Sequence, residues 1–364
     1  MNALRGLRLD RLSSFDTTIS LDRPFGRTLL LSLLILVLLV GASEAVARNR
    51  LFKAHFVARD WGSRHEQLEI QLGRLEMIAA NEGAVECIFL GNSMVWRGFD
   101  AETFARVFNE ETGRHMRCFN FGVDGMPAAG AGVVASILAQ DYRPRYLIYG
   151  ADARDFAVPP DARDAAVLRD TPWLRYRQGE FSLNGWLYEH AHTYRYWQSL
   201  AYLMRLERTY LFVGRRSGLS GDDYGFTPDN TVGEYVSSSP LEHLELGPVQ
   251  YYLELLSNYE ILPENVHGLE QIASLNGPNT KVILVEMPVP ETYLEFFGNG
   301  EQDYDSFLQQ VQKVAGANQI SFWRTRPLQL FADDEWVDYS HLNTRGARTF
   351  SRWFARQLSA SISQ

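Results

Sequence analysis

Nucleophilic catalysis needs a nucleophile, a base and a group to orient the base, and the 364-residue chain holds one set with suitable spacing. Ser93 closes the stretch Cys87-Ile88-Phe89-Leu90-Gly91-Asn92. Four residues with strand-compatible side chains there run into a glycine and a small polar residue. The pattern reads as a buried parallel strand ending in a tight turn. In an open α/β sheet, ligands bind at the carboxyl ends of the strands. The Ser93 hydroxyl is therefore expected to face a crevice. Near the other end, Asp338-Tyr339-Ser340-His341 places an aspartate three residues before a histidine at the mouth of a helix. The carboxylate can hold the Nδ1 proton, leaving Nε2 to face a nucleophile as general base. The plainer alternative is that His341 opens a helix and has no role.

These residues need a scaffold, and the remaining pattern supplies one. Strands are expected at 85–90, 116–121, 145–149, 281–286 and 319–323. Three of them stop at or just before a glycine: Gly91, Gly122 and Gly150. Helices are expected from Asp100, a good N-cap, through Phe104, Val107 and Phe108, and then over 125–140, 304–314 and 344–358. Three βα units in about 70 residues argue for a parallel, doubly wound sheet. The Asp338–His341 pair follows the fifth strand, so the fold can bring it to the edge where Ser93 sits. Leu68, Leu72, Leu75 and Ile78 repeat at three and four residues, and 48–82 reads as helical, either a stalk or a helix packed on the sheet.

Other features bound the problem. The composition is 46% hydrophobic and 22% charged, which is globular, and the net charge of −9 argues against nucleic-acid binding. Residues 1–27 carry five arginines and three aspartates, and 28–42 are almost wholly apolar. This is either an uncleaved signal anchor, with Arg23 and Arg27 on the cytoplasmic side, or a signal peptide cut after Ala45-Val46-Ala47. Eleven aromatic residues crowd into the 40 positions from Trp173 to Phe212. With the Gly/Ser/Asp-rich stretch 217–239 they form an insertion, 157–247, between the halves of the sheet domain, 84–156 and 248–360. The aromatics form either the core of a helical subdomain or a lid and substrate platform. Cys87 and Cys118 read as small buried hydrophobes rather than a disulfide. His190 and His192 make an H-x-H pair with no third ligand at recognisable spacing, so no metal and no cofactor is expected.

The blocks Gly91-Asn92-Ser93, Asn120-Phe121-Gly122, Gly150-Ala151-Asp152 and Asp338-x-x-His341, each after an expected strand, resemble in order the four sequence blocks of the SGNH/GDSL hydrolase superfamily. The resemblance covers about residues 84–156 and 248–360. It implies a flavodoxin-like three-layer α/β sandwich with a parallel five-stranded sheet, and acyl-ester chemistry. By position, Ser93 would be nucleophile, His341 base and Asp338 its orienter, with the amides of Ser93 and Gly122 donating to the oxyanion. Two positions depart from the pattern. Asn92 stands where the first block normally has aspartate. Asp152 stands where the third block normally supplies an asparagine oxyanion donor, and an ionised carboxylate cannot donate. Losing one such donor costs about 10²–10³ in rate. Arg154 is the nearby candidate to take its place.

The apolar N-terminal segment and the aromatic insertion are similar to a branch of that superfamily that works outside the cytoplasmic membrane beside membrane-bound O-acyltransferases. That likeness implies polysaccharide as acyl donor or acceptor and a membrane acyltransferase as partner. The reading is an extracytoplasmic O-acyltransferase or esterase. A non-catalytic scaffold binding glycan or acyltransferase is the alternative, and a secreted lipase-like esterase a third.

Overall fold

The computed structural model describes residues 23–55, 60–63, 65–159, 161–162, 165, 171–205 and 224–362. Most of the segment 1–27, Tyr210, Phe212 and the start of the expected loop 217–239 lie outside them. The chain divides into two units, residues 1–46 and 47–364. The first contains most of α1 (Arg23–Arg48). Within it, Phe25–Arg48 is the one helix among the described residues that is long and apolar enough to cross a membrane. Twenty-four residues rise about 36 Å, against a hydrocarbon core of roughly 30 Å. The same length and composition fit a signal sequence.

The second unit opens with α2 (Arg50–His55) and α3 (Glu66–Glu82). The expected helical run 48–82 is interrupted between them. Trp61 is buried there, and the Glu69 carboxylate accepts the Trp61 and Ser63 amides, both at 2.7 Å. Then come β1 (Cys87–Gly91), α4 (Ser93–Gly98), α5 (Ala101–Thr112), β2 (Cys118–Gly122), α6 (Ala128–Tyr142), β3 (Tyr146–Ala151) and α7 (Arg154–Ala157). The region of the expected insertion carries α8 (Pro172–Arg177), α9 (Leu183–His190) and α10 (His192–Arg205). The chain closes with α11 (Gly247–Leu256), α12 (Pro263–Ser274), β4 (Lys281–Glu286), α13 (Glu301–Ala317), β5 (Ser321–Trp323) and α14 (Thr344–Ile362).

All five strands run parallel, in the order β2-β1-β3-β4-β5. This is the flavodoxin-like order, with its switch point between β1 and β3. The strands are apolar on both faces, and alternate side chains enter two separate cores. Ile88, Leu90, Phe119, Phe121, Leu147 and Tyr149 face one, shared with α3, α6, α12 and α13. Cys87, Phe89, Cys118, Ile148 and Val285 face the other, shared with α4, α5 and α14. The protein is thus a three-layer α/β sandwich. Cys87 and Cys118 are register partners on β1 and β2, both free thiols and both buried. Of the insertion aromatics, Trp173 and Tyr188 join the first core beside Trp61 rather than a core of their own. Phe181 and Trp197 stay exposed.

The strand-ending glycines do more than punctuate. The backbone of α4 lies directly on them. A methyl at Gly122 would collide with the Trp96 backbone, and one at Gly91 or Gly150 would collide with the Val95 side chain. Asn120 fixes the same contact from below: its Nδ2 donates to the carbonyls of Val95 (2.8 Å), Trp96 (3.2 Å) and Phe99 (2.7 Å). Gly122→Ala is therefore expected to lift α4 off the sheet, costing on the order of 1–3 kcal/mol by overpacking. Thermal unfolding of the full chain would read that loss, and an unchanged midpoint would contradict the close seating of α4.

Candidate active site

Seating α4 places its first residue, Ser93, at the carboxyl ends of β1 and β2. Asn92 caps the helix, its Oδ1 accepting the Met94 amide at 2.7 Å. The partners arrive from the far end of the chain. After β5, the buried Glu286 at the end of β4 accepts the Thr325 amide (2.8 Å) and turns the chain back across this edge. A bridge between Trp336 and Leu342, with the Val337 amide donating to the His341 carbonyl at 2.8 Å, closes a short hairpin around Asp338–His341. Asn343 Oδ1 then accepts the Arg345 and Gly346 amides and starts α14.

The result brings the three separated residues into one line. His341 Nδ1 lies 2.9 and 2.8 Å from the two Asp338 oxygens, and His341 Nε2 lies 2.8 Å from Ser93 Oγ. Two carboxylate oxygens at Nδ1 fix the proton there, so Nε2 is the acceptor for the Ser93 hydroxyl. Asp338 also accepts the amides of Ser340 (2.8 Å) and His341 (2.9 Å) and the Ser340 hydroxyl (3.1 Å). Burial alone would push its carboxyl up, but the neighbouring imidazole and these donors outweigh it and hold it well below the usual carboxylate range. Asp338 is thus ionised wherever the site could work. A nucleophile, a base and an orienting anion in this geometry can take a proton from Ser93 as it attacks an acyl carbon.

The other expected site residues do not point into this line. The Gly122 amide donates to Asn120 Oδ1 at 2.9 Å and is not free for an oxyanion. Asp152 uses both oxygens as acceptors, Oδ2 from Asn92 Nδ2 (3.0 Å) and Oδ1 from the Tyr293 hydroxyl (3.1 Å). Arg154 is buried and occupied: Nη1 donates to Asp155 (2.9 Å), and Nε and Nη2 to the Tyr251 hydroxyl. Neither side chain is placed as a third donor. The turn after β2 holds what the motif reading passed over. Its Val123 amide donates to Gly91 O, Asp124 to Gln67 Oε1 and Met126 to Val123 O. The Gly125 amide makes no hydrogen bond among the described residues. Gly125 has φ +72°, a left-handed conformation that favours glycine. His65, the N-cap of α3, contacts the Asp124 carbonyl at 3.0 Å, and Gln67 and Gln71 on α3 donate to the Gly122 carbonyl just before the turn.

The two departures from the expected blocks prove to be partners. Asn92 and Asp152 are hydrogen-bonded, so amide and acid have changed places across one contact. Asn92 Nδ2 donates also to Asp155 Oδ1 at 2.8 Å. Burial pushes the Asp152 and Asp155 carboxyls up, and Arg154 pulls both back. Burial would lower Arg154, but Asp155, Tyr251, Tyr252 and Asp152 together more than offset this and keep it a cation. Two buried acids sharing one guanidinium leave no room for a third acid at position 92.

No family model matches the chain, and no curated protein matches it. Solved structures that match include two esterases. One is Est24, a carbohydrate acetylesterase from Sinorhizobium meliloti, at 10% identity and a TM-score of 0.35, over 76% of this chain and 98% of that one. Another is an inhibitor-bound aryl esterase from M. smegmatis, at 12% identity and a TM-score of 0.32, over 75% of this chain and 98% of that one. At TM-scores this low neither likeness bears on the chemistry, and the geometry of the site carries it alone.

Asn92→Asp is expected to destabilise the chain by roughly 1–3 kcal/mol or more, since it removes two donated bonds and adds a buried charge. Asn92→Asp with Asp152→Asn should recover part of the loss, read as the thermal midpoint. A double variant no better than Asn92→Asp would contradict the exchange. The depressed Asp338 carboxyl gives a second expectation. Asp338 should add no step to the acid limb of Ser93 reactivity in the range where carboxylates usually titrate. A step there that Asp338→Asn abolishes would contradict it.

Proposed function

We propose that the chain is an extracytoplasmic acyl-ester enzyme of the SGNH type, an O-acyltransferase or esterase acting on cell-envelope or secreted polysaccharide. The observation that carries this is the unbroken Ser93–His341–Asp338 line, with every contact at 2.8–2.9 Å. In this reading Ser93 Oγ attacks the acyl carbon while His341 Nε2 takes its proton. The amides of Ser93 and Gly125 receive the developing oxyanion. Collapse of the tetrahedral adduct expels the alcohol, which takes the proton from His341. The acyl-enzyme then passes its acyl group to water or to a sugar hydroxyl, with His341 again moving the proton. The N-terminal helix would hold the catalytic unit on the outside of the cytoplasmic membrane, beside a membrane-bound O-acyltransferase that supplies acyl groups.

One observation favours a second reading. Asp152 and Arg154 are both occupied, so the oxyanion gains no side-chain donor from the third block. A non-catalytic scaffold that binds glycan or acyltransferase would tolerate that. Acetate release from an O-acetylated polysaccharide by the purified full chain separates the two. Ser93→Ala and His341→Ala are each expected to lower it by at least about 10³-fold, as for residues acting as one unit. Variants that keep wild-type turnover, or a wild type with none, would give the scaffold reading its place.

A further inference from the structure

We propose that Tyr252 is a positioning residue for the base: through Ser340, it commits the His341 Nδ1 proton to Asp338. This goes beyond the assignment of the triad and rests on it.

Ser340 sits at a branch point. Its hydroxyl oxygen is 3.1 Å from Asp338 Oδ1, 3.1 Å from His341 Nδ1 and 3.0 Å from the Tyr252 hydroxyl. A serine hydroxyl carries one hydrogen and two lone pairs. Ser340 can therefore give its hydrogen to Asp338, or present a lone pair to the Nδ1 proton in competition with Asp338. The Tyr252 hydroxyl settles which. It is buried in the core, and the Ser340 hydroxyl is its one hydrogen-bond partner among the described residues, so its hydrogen goes to Ser340. Donation from Tyr252 takes one of the two Ser340 lone pairs and leaves the Ser340 hydrogen for Asp338, which weakens Ser340 as a rival acceptor for the Nδ1 proton. The chain of O–H groups then runs one way: Tyr252 to Ser340 to Asp338. The Nδ1 proton keeps the charge-assisted partner, which strengthens as the imidazolium forms.

Tyr252 is held for this task. It packs in the core with ring centroids 5.7 Å from Tyr293 and 5.2 Å from Phe296. Its predecessor on α11, Tyr251, receives the two Arg154 bonds at 3.2 and 3.0 Å. Consecutive residues of one helix thus touch both sides of the site. Tyr251 reaches the Arg154–Asp155–Asn92 cluster that caps α4, and Tyr252 reaches the loop of the base. The charged groups that face Tyr252, namely Asp152, Arg154 and Asp338, stay in place when only its hydroxyl is removed.

The test uses the full chain in detergent micelles with ¹⁵N-labelled histidine. The low-field Nδ1–H proton of His341 is identified by its loss in His341→Gln. Tyr252→Phe is expected to move it upfield and to slow phosphonylation of Ser93 about tenfold, a small share of the 10²–10⁴ that a general base contributes. Ser340→Ala removes the competing oxygen and is expected to leave the resonance at or downfield of its wild-type position. In the Ser340→Ala background, Tyr252→Phe should then do nothing further. An unmoved resonance in Tyr252→Phe, or an equal shift with and without Ser340, would overturn the proposal in favour of a packing role. If the wild type is not phosphonylated at all, the acyl-enzyme reading falls, and the Nδ1–H resonance still decides the role of Tyr252.

Discussion

The seat of α4 on the sheet is the contact on which the rest of the site depends. Ser93 is the first residue of a helix only six residues long, too short to hold its own place. What holds it is the absence of side chains at Gly91, Gly122 and Gly150 and the grip of Asn120 on three carbonyls at its far end. A close-packed floor of this kind has no slack. It sets the height of the Ser93 hydroxyl above the sheet, and so the length of the bond to His341. The hairpin that carries Asp338 and His341 is fixed through Glu286, the Trp336–Leu342 bridge and the start of α14. The two parts pack on each other through α14 in the second core, and at the site they meet in a hydrogen bond of 2.8 Å.

Behind that bond lies a buried polar layer that decides which residue types the site tolerates. Asn92 serves twice, capping α4 with its oxygen and donating to two acids with its nitrogen. An acid in its place would face Asp152 and Asp155 with only Arg154 to balance three charges. The amide at 92 and the acid at 152 are best understood as one exchange that keeps the contact while reversing its direction. Its cost is that both Asp152 oxygens are taken up as acceptors, from Asn92 and Tyr293. The α11 tyrosines tie this layer to the base, so both halves of the site are referred to the same helix.

The sheet was legible because its signals are local and redundant. Apolar runs ending in glycine marked β1, β2 and β3 within two or three residues, and Lys281–Glu286 coincides with β4. The Asp100 N-cap is where its side chain implied, accepting the Thr103 amide at 2.8 Å. Less legible were features set by tertiary contact. The helical period over 48–82 gave no sign that Trp61 would be drawn into the core and break the run. By its position in the second block Gly122 was expected to be an oxyanion donor, but Asn120, two residues earlier, takes its amide. Gly125 carried a signal that could have been read, a glycine in an Asp-Gly turn just past the strand. Asp152 and Arg154 were read one residue at a time, and only three dimensions reveal that each already has partners. Tyr252 had no signal at all, since nothing in its neighbours on α11 points to a loop nearly ninety residues away.

The central claim is that Ser93 is a nucleophile activated by His341. Treatment of the full chain with a fluorophosphonate, followed by digestion and mass-spectrometric mapping, tests it most directly. The account predicts a single phosphonyl adduct on Ser93, absent in Ser93→Ala and strongly slowed in His341→Ala. An unlabelled wild type, or an adduct that persists in Ser93→Ala, would contradict it.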